Sequence, residues 1–179
     1  MSESTRDLLA EGYQARREHR LADARGLFAA AVATSRQSGE PPSMLAKALE
    51  GAGQIDRDLG DSEAALKLYR QAVELYRAHG TPLELAHCVR HVGDILRNLR
   101  RPEESAACYE EALTIYRREE QVFLLDLANA NRGFALLEEQ RGHAAEAVAL
   151  WQQARDLYRQ TGIEAGVAEG EKRIAQLTT

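Results

Sequence analysis

A two-helix pattern recurs along this chain in constant register, and a period of a few tens of residues leaves few folds open. Gly12, Ala24, Phe28 and Ala31 return 41 residues later as Gly53, Ala65, Tyr69 and Ala72. Gly53, Tyr69, Ala72 and Tyr76 return 40 residues further on as Gly93, Tyr109, Ala112 and Tyr116, with Ser105 in place of the second alanine. A step of 42 carries Tyr109, Ala112 and Tyr116 onto Trp151, Ala154 and Tyr158, and Gly93 onto Ala135. The register predicts four units, over residues 5–38, 43–79, 83–119 and 124–161, within a single domain spanning 1–179. Residues 163–177 repeat only the first half of a unit, because Ala46, Ala86, Ala128 and Ala168 follow one another at 40, 42 and 40. A lone final helix is expected there, covering the last apolar face, with Glu164, Glu169, Glu171, Lys172 and Arg173 making its outer side polar.

The residue types specify helix. Ala, Leu, Glu and Arg dominate, only four prolines occur, and Val, Ile and Thr form no alternating runs. Within a unit, the small residue in the first helix lets the second approach closely, and the aromatic sixteen places on fills the space between neighbours. Ala72, Ala112 and Ala154 keep the second helix thin. Turns are expected at Leu59-Gly60-Asp61-Ser62, Arg100-Arg101-Pro102-Glu103 and Arg141-Gly142-His143, where Gly ends one helix and Asp61 or Pro102 opens the next. Longer joints fall at 38–42, 79–82 and 160–162. The joint around 119–126 lacks such breakers.

Small, aromatic and small residues in this order resemble the tetratricopeptide repeat (TPR) over nearly the whole chain. The units are longer than the usual 34 residues or so, and the family's Trp and closing Pro are mostly absent. In length they resemble the extended repeats of kinesin light chains and of bacterial TPR regulators. A HEAT or armadillo array has a similar period, but not this Gly, Ala, aromatic, Ala order. The resemblance implies an all-α, right-handed α-solenoid of antiparallel helix pairs. It further implies a concave groove lined by the first helices. The groove positions carried over are Arg6, Leu9, Tyr13, Arg16 and Arg17, then Lys47, Glu50, Gln54, Arg57 and Asp58. The third unit supplies His87, Arg90, Asp94, Arg97 and Asn98, and the fourth Asn129, Arg132, Leu136, Glu139 and Gln140. Arg90 and Arg132 are equivalent on successive helices and suit bidentate capture of a carboxylate from an acidic peptide or a free C-terminus. The competing reading pairs them with Glu50, Asp94 and Glu139. The Lys and Asn of the family's chaperone-binding carboxylate clamp are absent, which excludes that partner class.

Charge and motifs narrow the rest. A net charge of −5 gives no basic footprint for nucleic acid. No apolar stretch is long enough for a membrane span, and Met1 to Arg6 lacks the order of a secretory leader, so the expected location is the cytoplasm. Arginine outnumbers lysine 20 to 3, a usage that fits a GC-rich bacterial genome. Cys88 and Cys108 are too few for a disulfide framework. His87 and His91 lie one helical turn apart with Cys88 between them, yet no third metal ligand is indicated. Gly51-Ala52-Gly53 lacks the third glycine and the strand of a dinucleotide fingerprint. No nucleophile elbow, phosphate loop or calcium loop occurs. The sequence therefore predicts a binding module for a protein or peptide segment, with no catalytic residue, metal or cofactor. The alternatives are a self-associating structural module that forms a homo-oligomer through an incompletely capped end, and a peptide-sensing regulator of bacterial type. The latter usually carries an output domain, for which this chain leaves no room beyond Met1 to Asp7.

Overall fold

The computed structural model describes residues 4–179; Met1 to Glu3, part of the segment read as carrying no leader, lie outside it. Nine helices occur among the described residues, with no strand: α1 (Thr5–Arg17), α2 (Leu21–Gln37), α3 (Pro42–Asp58), α4 (Ser62–His79), α5 (Pro82–Asn98), α6 (Pro102–Arg118), α7 (Leu124–Arg141), α8 (Ala144–Gln160) and α9 (Glu164–Leu177). Consecutive helices pack as hairpins, so the architecture is an all-α solenoid of helix pairs. The chain divides into two compact units, residues up to Cys88 and residues from Val89 on, with the division inside α5.

The hairpins share one turn chemistry. His19 and Arg20 donate their backbone N–H groups to the carbonyls of Arg16 and Ala15, and Gly60 and Asp61 do the same to Arg57 and Asp56. Arg100 and Arg101 repeat the pair onto Arg97 and Leu96, and Gly142 and His143 onto Glu139 and Glu138. These bonds satisfy carbonyls that the helix end would orphan, and they require a left-handed residue just past it. Gly60 (φ 85°) and Gly142 (φ 79°) adopt that backbone without a Cβ penalty. The other two turns place His19 and Arg100 there, both at φ 59°. The turn at Arg100 was expected from Pro102, although without a glycine, whereas the sequence held no signal for the turn at His19. Asp61 opens α4 by accepting the Ala64 N–H at 3.0 Å, and Pro102 begins α6. The joint without breakers is five residues, 119–123, and leaves Phe123 73% exposed.

The aromatics of the second helices are the core of each unit. In the first unit Phe28 is fully buried, and its ring lies against the backbone of Gly12 on α1 and Gly51 on α3. Tyr69 likewise lies on Gly53. In the second unit Tyr109 is buried between Gly93 on α5 and Gly133 on α7, and stacks on Phe134 at 5.6 Å. Ala72, Ala112 and Ala154 are wholly buried, as is Trp151 on α8. Ser105 uses its hydroxyl to bond the Gly93 carbonyl at 2.8 Å, so this substitution for alanine still ties the hairpin.

Two glycines of the first unit separate these roles. A Cβ on Gly26, within α2, meets nothing within 4 Å, whereas one on Gly51 collides with the buried Phe28 ring. Gly26→Ala is expected to stabilise by up to about 1 kcal/mol through helix propensity, and Gly51→Ala to destabilise by about 1–3 kcal/mol through overpacking. Urea unfolding followed by circular dichroism distinguishes the two; equal effects of the same sign would refute the seating of Phe28.

Candidate functional site

The first helix of each hairpin carries the predicted groove positions, and the polar side chains there are already joined to one another. In the first unit Arg16 Nε lies 2.6 Å from Asp58 Oδ2, linking α1 to α3. Lys47 Nζ is 3.3 Å from Glu84 Oε1, and His87 Nε2 is 3.8 Å from Glu50 Oε1, linking α3 to α5. Glu50 also accepts the Tyr76 hydroxyl at 2.8 Å. Tyr13 stands close enough to feel the charge of Glu50; burial first, then that charge, push its phenol up to about 12. Gln54 and Arg57 are half-buried on the same helix. Leu9 is not available in the groove: it belongs to the core with Leu8, Phe28 and Ile55. Arg6 and Arg17 are exposed.

The second unit repeats the arrangement with different residues. Arg90 is only 6% exposed and donates from Nη1 to Asp94 Oδ2 at 3.1 Å and from Nη2 to His91 Nε2 at 2.9 Å. Asp94 takes the Tyr109 hydroxyl on its other oxygen at 2.7 Å. Arg132 makes a two-pronged pair with Glu169, at 2.7 Å from Nε and 2.8 Å from Nη2. Asn129 accepts the Tyr158 hydroxyl at 2.7 Å, and Glu139 accepts Trp151 Nε1 at 2.5 Å while pairing with Arg173 at 3.1 Å. Leu136 is half-buried, Asn98 and Gln140 are exposed, and Arg97 turns toward a small cleft at the hairpin edge.

Two features of this surface escaped sequence reading. Glu169 and Arg173 on α9 were expected to face outward, but they pair with Arg132 and Glu139 on α7, because an acid and a base spaced four residues apart on α9 meet their opposites seven apart on α7. The second feature is that Tyr76, Tyr109, Tyr158 and Trp151, rightly read as core, extend their polar tips to the first helices. The signal was the choice of Tyr and Trp over Phe, since a buried hydroxyl or indole N–H needs a partner. His87 and His91 are occupied by the contacts given above, and among the described residues no group of three His, Cys, Asp or Glu side chains is placed to hold a metal ion. Cys88 is buried, with its thiol 3.7 Å from the Tyr69 carbonyl. No helix among the described residues is long and apolar enough to cross a membrane.

Helix hairpins repeated in register, with small residues seating the aromatics and polar side chains lining the first helices, define a helical-repeat interaction fold. The chain belongs to the tetratricopeptide repeat family, whose description matches residues 5–78 and again 85–120. Among solved structures, apo RapI is similar with a TM-score of 0.85 at 13% identity, over 93% of this chain and 60% of RapI. Aspartyl phosphate phosphatase F of Bacillus subtilis is similar at a TM-score of 0.80 and 14% identity, over 97% of this chain and 45% of that protein. The nearly identical TPR-like repeats of a Podosopora anserina protein of kinesin light chain type give 0.74 at 12%, over 99% and 97% of the two chains. At such identities the likeness concerns the fold. No curated protein matches the sequence.

The tyrosines make the packing testable by pH. Burial raises the phenols of Tyr13, Tyr69, Tyr76, Tyr109 and Tyr158 above their usual value, with Glu50 and Asp94 adding to the effect at Tyr76 and Tyr109. A raised folded-state value means the neutral phenol is favoured in the fold, so this contribution is complete below about pH 10, the unfolded value, and is lost as pH climbs through the raised ones. Phenolate absorbance is expected to rise together with loss of helical circular dichroism above that pH. Titration of these phenols near pH 10 in a chain that stays helical would contradict the burial.

Proposed function

We propose that the chain is a binding module that receives an acidic peptide or protein segment along the first-helix groove and performs no chemistry of its own. The observation that carries this reading is the Arg132–Glu169 pair. Its fork geometry is that of carboxylate recognition, and the pair is half-exposed, with side-chain exposures of 39% and 30%. A partner carboxylate that displaces Glu169 meets the same two donors. Exposed pairs are worth about 0–1 kcal/mol, so exchange with a ligand acid costs little, and Arg16–Asp58 and Lys47–Glu84 offer similar exchange in the first unit. The mixed sign of these pairs supports a segment bearing both charges, with acids placed opposite Arg132. Polar lining of this kind in a TPR array supports adaptor or scaffold work. Peptide sensing of the kind found in bacterial regulators would use the same surface.

Self-association is a second reading, favoured by the exposure of Phe123, Leu124 and Leu125 side by side at the start of α7. Mass measured by light scattering across a concentration series decides it.

Glu169→Gln frees Arg132 without introducing a like charge, and Arg132→Gln removes the donor. Affinity capture followed by mass spectrometry is expected to recover acidic partners in greater amount with Glu169→Gln and to lose them with Arg132→Gln. An unchanged partner set in both variants would defeat the groove reading.

A further inference from the structure

At the edge of the second unit, a cleft of about 200 Å³ opens between the α5–α6 turn and the end of α7, lined by Arg97, Arg100, Pro102, Leu137, Gln140 and Arg141. Three arginines line it and no acidic residue does. Among the described residues only Arg141 of the three forms an ion pair, with Glu138 at 2.8 Å, and Glu138 is shared with His143. Arg97 touches the Tyr109 hydroxyl, yet its Nε is buried with no hydrogen-bond partner. A buried charged donor left unmatched is costly, and native structures rarely keep one without a use.

Helix-end electrostatics explain part of this cluster. Arg97 and Arg141 stand in the last turns of α5 and α7, where cations are favoured. Arg100 has no such reason. It lies beyond α5 in left-handed backbone, at the place that Gly60, Gly142 and Gly162 hold in three other turns of the same geometry. Pro102, in the first turn of α6, completes the lining.

We propose that this cleft binds a phosphate-sized oxyanion. Arg97 and Arg100 supply planar donor pairs, and Arg141 is shared between the ligand and Glu138. The shared chemistry is a dianionic phosphate, free or carried on a partner's side chain. The site lies at the hairpin edge and does not depend on occupancy of the groove.

The test is a titration of the full chain with inorganic phosphate and, separately, with phosphoserine, each compared with chloride at equal ionic strength to remove screening. It is read by the arginine Nε–Hε resonances in NMR. Saturable shifts at Arg97 and Arg100 are expected with phosphate and not with chloride. Arg100→Gly is expected to raise the melting temperature, because glycine relieves the left-handed strain, and at the same time to weaken phosphate binding by about tenfold or more. A variant that is more stable and binds less cannot be explained by unfolding. Tighter binding of phosphoserine assigns the site to a partner's phosphorylated side chain, and equal binding assigns it to the free ion. Shifts no larger than those with chloride, or undiminished phosphate binding by Arg100→Gly, would overturn the proposal.

Discussion

Everything in this molecule depends on a large ring lying flat against a helix that offers no Cβ. Phe28 on Gly12 and Gly51, and Tyr109 on Gly93 and Gly133, join α2 and α6 each both to its own first helix and to the first helix of the next hairpin. A buried aromatic contributes a large apolar area from one residue, which suits a repeat whose units are too small to hold a core alone. The same contact sets the spacing at which the first helices lie side by side, and so it determines which polar groups can meet.

That spacing explains the chemistry of the groove. First helices at this separation bring Arg16 to Asp58, Lys47 to Glu84 and Arg132 to Glu169, while the hydroxyls of Tyr76, Tyr109 and Tyr158 reach through from behind. The surface is thus organised before any partner arrives. A ligand exchanges existing pairs rather than ordering loose side chains, and preorganisation of this kind lowers the entropic cost of binding.

The register of the repeat was legible because its carriers, glycine and a ring sixteen residues on, act within one hairpin. The particular partners that residues find across hairpins were not. Gly51 could be set aside as a failed nucleotide motif, but its role as the seat for Phe28 depends on a residue in the preceding unit. Glu169 looked like a solvated charge on a terminal helix, because nothing in its local sequence indicates Arg132. Leu9 shared a register position with polar residues of later units, yet it is buried in the core. His19 and Arg100 fill left-handed turns where local preference calls for glycine; Pro102 signals the second of these turns, whereas only the backbone bonds around His19 reveal the first. Sequence spacing fixes what happens inside a unit, whereas the chemistry that faces a partner comes from neighbours.

The seating of a ring on a bare backbone is tested most directly by a double-mutant cycle between Gly133 and Tyr109, followed by the fluorescence of Trp151, the sole tryptophan. A Cβ on Gly133 would come within 2.7 Å of the Tyr109 ring. Gly133→Ala should therefore cost about 1–3 kcal/mol in the native background and markedly less once Tyr109→Leu has removed the ring and left only the movable Asp94 carboxylate near that Cβ, giving a clear coupling. Costs that simply add would mean that ring and glycine do not depend on each other, and would contradict the account.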